Sequence, residues 1–374
     1  MTAGRARRSW REPNRPAAQR RIAAVRRLDP VLSPERTMKA IGYYRNLPIS
    51  DADALVELTL PDPVPGAHDL LVEVRAVSVN PVDVKIRANV APEAGQPKVL
   101  GWDAAGVVRA VGTAVTRFKP GDKVWYAGAL QRPGTNSELH LVDERIAGRM
   151  PQRIDFAAAA ALPLTTITAW ELLFDRLNIP EGDQSQGATL LVIGAAGGVG
   201  SILVQLARRL TGLTVIGTAS RPETAKWVGD LGAHHVIDHT KPLSEELRRI
   251  GFAGVDYVAS LNQSDRHFDE IVAAINPQGH VALIDDPDHI DVRKLKTKSV
   301  SLHWEFMFTR SMHATPDQIR QHELLTRVGS LIDAGVLRTT LAGHFGTVNA
   351  ANLRRAHEWI ETHRARGKIV LEGF

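Results

Sequence analysis

The 374-residue chain predicts an α/β protein, a doubly wound parallel sheet joined to a barrel-like β domain. Three observations carry this. Strand-like and helix-like runs alternate from 189 onward. The first of these pairs is joined by a glycine loop, GAAGGVG (194–200). Residues 38–163 instead show short strands and turn signals at close spacing. The length is too great for one ordinary core, which favours two domains.

The first 37 residues stand apart. They hold ten Arg, no Lys and three acids (Glu12, Asp29, Glu35), so they carry all of the net charge of +5 and leave the rest mildly acidic. The segment is rich in Pro and Arg and poor in large apolar residues, and a disordered basic extension is expected. Met38 opens MKAIGYY like a natural start. A nucleic-acid arm and a transit peptide are the competing readings of the same composition. With no cysteine anywhere, disulfides, thiolate metal sites and a cysteine nucleophile are excluded. A reducing compartment fits, and a cytoplasmic location is expected. No apolar run is expected to reach the roughly 20 residues of a spanning helix.

From 38 to 163, LLVEVRAVSV (70–79) alternates as a half-buried strand. PDPVPGAHD, GVVRAVG and FKPGDKVWY place turns at short spacing, which suits a barrel. From 189, TLLVI is a short apolar strand. GVGSILVQLARRL (198–210) puts Val199, Ile202, Leu203, Leu206 and Leu210 on one helix face. TVIGTAS is the next strand and PETAKWVGDLG the next helix. HHVIDH, GVDYVAS and GHVALID continue the strands, with a helix over 266–275. A helix over 316–335 precedes the final strand-like GKIVLEGF.

The loop Gly194, Ala195, Ala196, Gly197, Gly198, Val199, Gly200 aligns with G-x-G-x-x-G as Ala195, Gly197 and Gly200. Gly197 lets backbone approach a pyrophosphate. Gly200 lets the helix pack against the strand, and the helix N-terminus offers free N–H groups. Placed strand–loop–helix, this is a Rossmann dinucleotide signal. The second strand ends at Ser220-Arg221, with no acid until Glu223. An acid there would hold a ribose 2′-OH. Ser and Arg suit a 2′-phosphate, so NADPH is the expected cofactor. The bland reading of Arg221 is a solvated loop charge.

The β-rich front, the central Rossmann unit, AAGGVG, PGDKV and GWDAAGVV–AVG resemble the medium-chain dehydrogenase/reductase superfamily. The likeness is to its zinc-free quinone oxidoreductase branch, and most closely to bacterial zinc-type alcohol dehydrogenase-like proteins. It covers nearly all of 38–374. It implies a GroES-like catalytic domain from 38–163 and 311–374 and an NADP-binding domain over 164–310. Zinc-dependent members carry G-H-E where this chain has Gly101-Trp102-Asp103, and a Cys ligand where it has Asn80. No metal is therefore expected. Trp102 is read as packing, with a pocket role as the alternative.

The resemblance also implies the site. Asn80 sits beside the nicotinamide as a possible donor to substrate. Thr166 contacts the cofactor, His239 lies in the adenosine phosphate pocket, and Asn262 follows the fourth Rossmann strand. Tyr126 is a second candidate donor, or else a half-buried barrel tyrosine. HWEFMF (303–308) walls an apolar pocket, or is core or dimer packing at the sheet edge. Other catalytic patterns fail: His322-Glu323 and His357-Glu358 do not complete H-E-x-x-H, there is no G-x-S-x-G, and no Tyr has Lys four residues on.

The expected activity is NADPH-dependent reduction of quinones or activated alkenes, since a carbonyl oxygen that gains charge needs only a donor. The expected partners are that small molecule and a second copy of the chain, with no membrane and no nucleic acid. A zinc-dependent alcohol dehydrogenase and a non-catalytic NADPH-binding sensor or RNA-binding protein are the alternatives.

Overall fold

In the computed structural model, residues 36–374 are described. The expected basic extension lies outside them, apart from its last two residues. The first two strands, β1 (Thr37–Tyr43) and β2 (Val56–Pro61), pair antiparallel, and β4 (Lys98–Val99) completes a small three-stranded sheet. Between them runs β3 (Asp69–Ser78), the alternating segment. It buries Leu70, Val72, Val74 and Ala76, as a period of two requires. It pairs with β5 (Ala104–Val111) and β7 (Leu139–Asp143). Next come β6 (Lys123–Tyr126) and β8 (Ala147–Arg149).

The parallel sheet takes β9 (Thr189–Ile193), β10 (Thr214–Thr218), β11 (His235–Ile237), β12 (Val255–Ser260), β13 (Ile275–Leu283) and β14 (Ser301–Trp304). Their spatial order is β11-β10-β9-β12-β13-β14, and every neighbouring pair is parallel. The order reverses beside β9, so the crevice that opens there is where ligands of such sheets collect. All five residues of β9 are buried. Leu190 and Val192 join the larger core, whereas Leu191 and Ile193 join a second core on the opposite face. A sheet covered on both sides needs that unbroken apolar run.

The chain then returns to the antiparallel sheet. β15 (Leu341–His344) and β16 (Lys368–Glu372) extend it to the order β15-β16-β3-β5-β6-β8. Val370, Leu371 and Glu372 pair with Ser78, Val77 and Ala76 of β3. The C-terminal strand thereby places residue 368 beside residue 80, which no local pattern indicates.

Two sequence expectations are corrected. The helix foreseen over 316–335 is Arg320–Asp333, because Asp317 is tied instead to Arg310 and Thr315 in the preceding turn. The second concerns apolar length. Residues Phe156–Arg176 form a helical stretch long and apolar enough to cross a membrane, and 94% of its apolar window is buried inside the protein. Its parts are two short helices, α2 (Phe156–Ala160) and α3 (Pro163–Trp170), and a π-helical turn (Glu171–Arg176). It is a core element that packs on the glycine-loop helix and on Arg320–Asp333.

Candidate functional site

A cleft of about 630 Å³ opens between the carboxyl edge of the parallel sheet and the antiparallel sheet. Its first wall grows from the glycine loop. β9 ends at Ile193, and Gly194 adopts φ +81°, a conformation open to glycine. A Cβ there would lie 2.6 Å from Asn262 Oδ1, so the bare backbone lets Asn262 come against the loop. Helix α4 (Gly198–Leu210) starts with Gly197 as its N-cap. A Cβ on Gly200 would stand 2.5 Å from Gly194 O and 2.6 Å from Ala195 Cα, whereas one on Gly197 would meet only Gly194 O, at 3.4 Å. Gly200 is thus a packing glycine, and Gly197 leaves open space on the cleft side.

Most of the sequence-predicted cofactor residues come together here. Gly194, Ala196, Gly197, Gly198, Val199, Gly200, Ser220, Arg221, His239 and Asn262 all line the cleft. Two do not. Ala195 is fully buried and packs into the larger core behind the loop. Thr166 is fully buried, its hydroxyl without a partner among the described residues, and the neighbouring Thr165 faces the cleft instead. On a helix, adjacent residues point about 100° apart, so one of the pair turns inward. His239 Nδ1 is buried without a partner among the described residues, and burial depresses its pKa.

Arg221 precedes helix α5 (Pro222–Asp230). It pairs through Nε with Glu223 at 3.3 Å and donates from Nη2 to Arg364 O at 3.1 Å. Arg364, exposed and also on the cleft, adds a second cation at this end.

The second wall comes from the antiparallel sheet and is built differently. Asn80 lines the cleft but is only 1% exposed. Its Nδ2 donates to Asp103 Oδ2 at 2.8 Å and to Trp102 O at 3.3 Å, while its Oδ1 accepts from Lys368 Nζ. Lys368 Nζ also donates to Val79 O and to Asp103 Oδ2, each at 3.0 Å. The other oxygen of Asp103 accepts from the Leu164 backbone at 2.8 Å. Asp83 accepts from the Asn80 backbone N–H at 2.7 Å. Burial pushes the Asp83 carboxyl up to about 7. Burial also raises Asp103, although the Lys368 ammonium pulls the other way.

The expectation that Asn80 donates to substrate is therefore corrected: both amide hydrogens are engaged within the protein. Tyr126 is corrected too. It is fully buried, stacks on His140 at 5.4 Å and shares a contact with that ring at 3.2 Å, away from the cleft wall. Burial raises its pKa, as befits a neutral core phenol. Trp102 follows the packing reading. It is 1% exposed, donates to Ala129 O and meets Phe308 edge-on at 6.5 Å. HWEFMF does not wall the cleft: Trp304 and Phe306 are about half exposed at the edge of β14, and Met307 and Phe308 are buried.

A zinc ion does not fit these residues. Trp102 offers no ligand atom, Asn80 is engaged through both ends of its amide, and an ammonium already sits 3.0 Å from Asp103. Lys368, Asp83 and Lys85, the last also on the cleft, went unnamed in the sequence reading. The signal for Lys368 was a lone cation heading the apolar run KIVL.

The barrel-like part, residues 66–152, matches the family model described as alcohol dehydrogenase GroES-like domain, and residues 231–371 match the model described as zinc-binding dehydrogenase. A zinc-type alcohol dehydrogenase-like protein of Staphylococcus epidermidis is 38% identical over 89% of this chain and 99% of its own length. A Rhizobium etli CFN 42 crystal structure, provisionally described as a zinc-dependent alcohol dehydrogenase, is 54% identical. It covers 91% of this chain and 99% of its own, with a TM-score of 0.88. Escherichia coli quinone oxidoreductase, solved in complex with NADPH, is 25% identical over 89% of this chain and 99% of its own, with a TM-score of 0.74.

Proposed function

We propose, from the premise that this chain belongs to the medium-chain dehydrogenase/reductase superfamily, that it is an NADPH-dependent oxidoreductase reducing quinones or activated alkenes without a metal. The observation that carries the reading is the Lys368–Asn80–Asp103 cluster, which fills the place where zinc-dependent relatives would hold their ion. Oxidising an alcohol calls for a Lewis acid or base on its oxygen. Reducing a conjugated carbonyl asks less of the protein.

The N-terminus of α4 and the open face of Gly197 would hold the pyrophosphate. Ser220, Arg221 and Arg364 would hold the 2′-phosphate. A bound nicotinamide supplies the hydride. Val79, Val84 and Leu164 present an apolar inner surface that keeps water off the reacting carbon. The exposed Trp304 and Phe306 at the edge of the parallel sheet support a homodimer joined there.

The test is NADPH consumption by the purified chain against quinones, enones and aldehydes, with metal analysis alongside. Turnover of quinones or enones that chelation leaves unchanged is expected. Stoichiometric zinc, with activity lost on chelation and restored by zinc, would overturn the reading.

A further inference from the structure

The polar groups of the cleft differ in whether their hydrogens are already engaged. Lys368 has three N–H groups and three protein acceptors, and Asn80 has none to spare. The Thr165 hydroxyl donates to Leu162 O at 3.0 Å. Arg221 and Arg364 stand at the β10 end. Lys85 differs from all of these. It lies on helix α1 (Pro81–Asn89), directly after Asn80, and with Pro81 and Val84 it lines the cleft. Residues three and four apart share one helix face, so α1 turns this face to the site. Among the described residues the Lys85 ammonium has one partner, Asp286 Oδ2 at 2.7 Å, and the two side chains are 53% and 80% exposed. Two of its three N–H groups are uncommitted to any acceptor among the described residues, and an exposed pair of this kind is cheap to open.

Its place in the fold matters as much. Asp286 follows β13, and Ile284 at the end of that strand also lines the cleft. The order β10-β9-β12-β13 sets Arg221 and Asp286 at opposite ends, with the glycine loop between them. A dinucleotide with its 2′ end at Arg221 and its phosphates at the loop therefore points its reactive end toward Lys85.

We propose that Lys85 is the substrate-facing cation of this site, leaving Asp286 to donate to the carbonyl oxygen of the quinone or enone. The assignment rests on the reductase reading above. Hydride arriving at the electron-poor carbon drives the π pair onto the carbonyl oxygen. The Lys85 N–H meets that new negative charge. The proton that completes the reduction comes from water at the open mouth, so Lys85 begins and ends as ammonium while one reduced nicotinamide is oxidised. The apolar surroundings of Val79, Val84 and Leu164 strengthen such a contact.

The experiment uses the full chain as native protein, Lys85→Met, Lys85→Arg and, as a surface control, Lys226→Met, whose side chain pairs with Asp230 on α5. Two readouts are taken. The first is kcat and KM with a quinone and with NADPH. The second is the ionisation of 4-nitrophenol bound in the cleft, followed by its visible absorbance without cofactor. Lys85→Met should lower kcat roughly 10²-fold with little change in the KM for NADPH, and the bound phenol should ionise at higher pH than in the native chain. Lys85→Arg should recover part of both, and Lys226→Met should match the native chain. Unchanged kcat and an unchanged phenol titration in Lys85→Met would overturn the proposal. A native chain that reduces no quinone or enone, yet shifts the phenol only when Lys85 is present, would sink the reductase reading and uphold the cation.

Discussion

The two walls of the cleft handle polarity in opposite ways. On the parallel-sheet side the glycine loop leaves backbone and helix terminus facing open space, and Arg221 is partly exposed. On the barrel side Asn80, Asp103 and Lys368 are nearly sealed, and their donors are used within the protein. One wall is built to receive a ligand. The other holds charge in a fixed arrangement, which costs desolvation and is stable only while every partner is present. Damage to the sealed groups of the second wall should therefore appear as lost stability, and damage to the open groups of the first as lost binding.

The largest effect should follow from Lys368→Met. It strands the Asp103 carboxylate in a buried site, and removing one partner of such a pair costs about 3–5 kcal/mol. Thermal melting should fall sharply, and adding Asp103→Asn should restore part of it. A melting temperature that stays put would mean the barrel wall tolerates an unpaired acid and the contrast between the walls is false.

Gly200→Ala comes next. The new methyl meets backbone at 2.5 and 2.6 Å, and overpacking of this kind costs about 1–3 kcal/mol. Gly197→Ala should barely change melting but weaken NADPH affinity, read by the fluorescence of the bound nucleotide. Equal melting losses in the two variants would break the distinction between a packing glycine and an open one.

Arg221→Asp should move cofactor preference toward NADH by about tenfold or more in the ratio of Kd values, equivalent to about 1.4 kcal/mol. Stability should stay level, since Arg221 is partly exposed. Unaltered preference would remove Arg221 from the 2′-phosphate site.

The barrel wall should also carry a pH dependence. Burial lifts Asp83 from its ordinary 3.8 to about 7. The unfolded chain thus loses this proton first as pH rises. Stability from the neutral carboxyl is complete below about pH 4 and is lost as pH climbs through 7. Asp83→Asn, which keeps an acceptor for the Asn80 N–H, should flatten the fall in melting temperature between pH 5 and 8. An unchanged slope would show that Asp83 titrates like an exposed acid.

Legibility in the sequence divides along the same line as the walls. TLLVI, the loop and GVGSILVQLARRL could be read as strand, turn and helix because their periods, glycines and order lie within two dozen residues. β9 and α4 occupy the expected spans. The acid-free end of β10 was equally local. Details of facing were harder, since Ala195 and Thr166 point inward where their neighbours Ala196 and Thr165 face the cleft.

The sequence by itself determined the alternation of strand and helix, the dinucleotide-type loop, the cation after the second strand, and the lack of any cysteine. These depend on side-chain period and residue type along a short stretch of chain. Tertiary structure alone decided that Lys368 meets Asn80 across 288 positions and Asp103 across 265. It alone decided that Tyr126 is sealed against His140 and that Lys85 reaches across the cleft to Asp286. A hydrogen bond depends on where β16 docks beside β3 and how deeply each group is buried, and no local pattern along the chain carries either quantity.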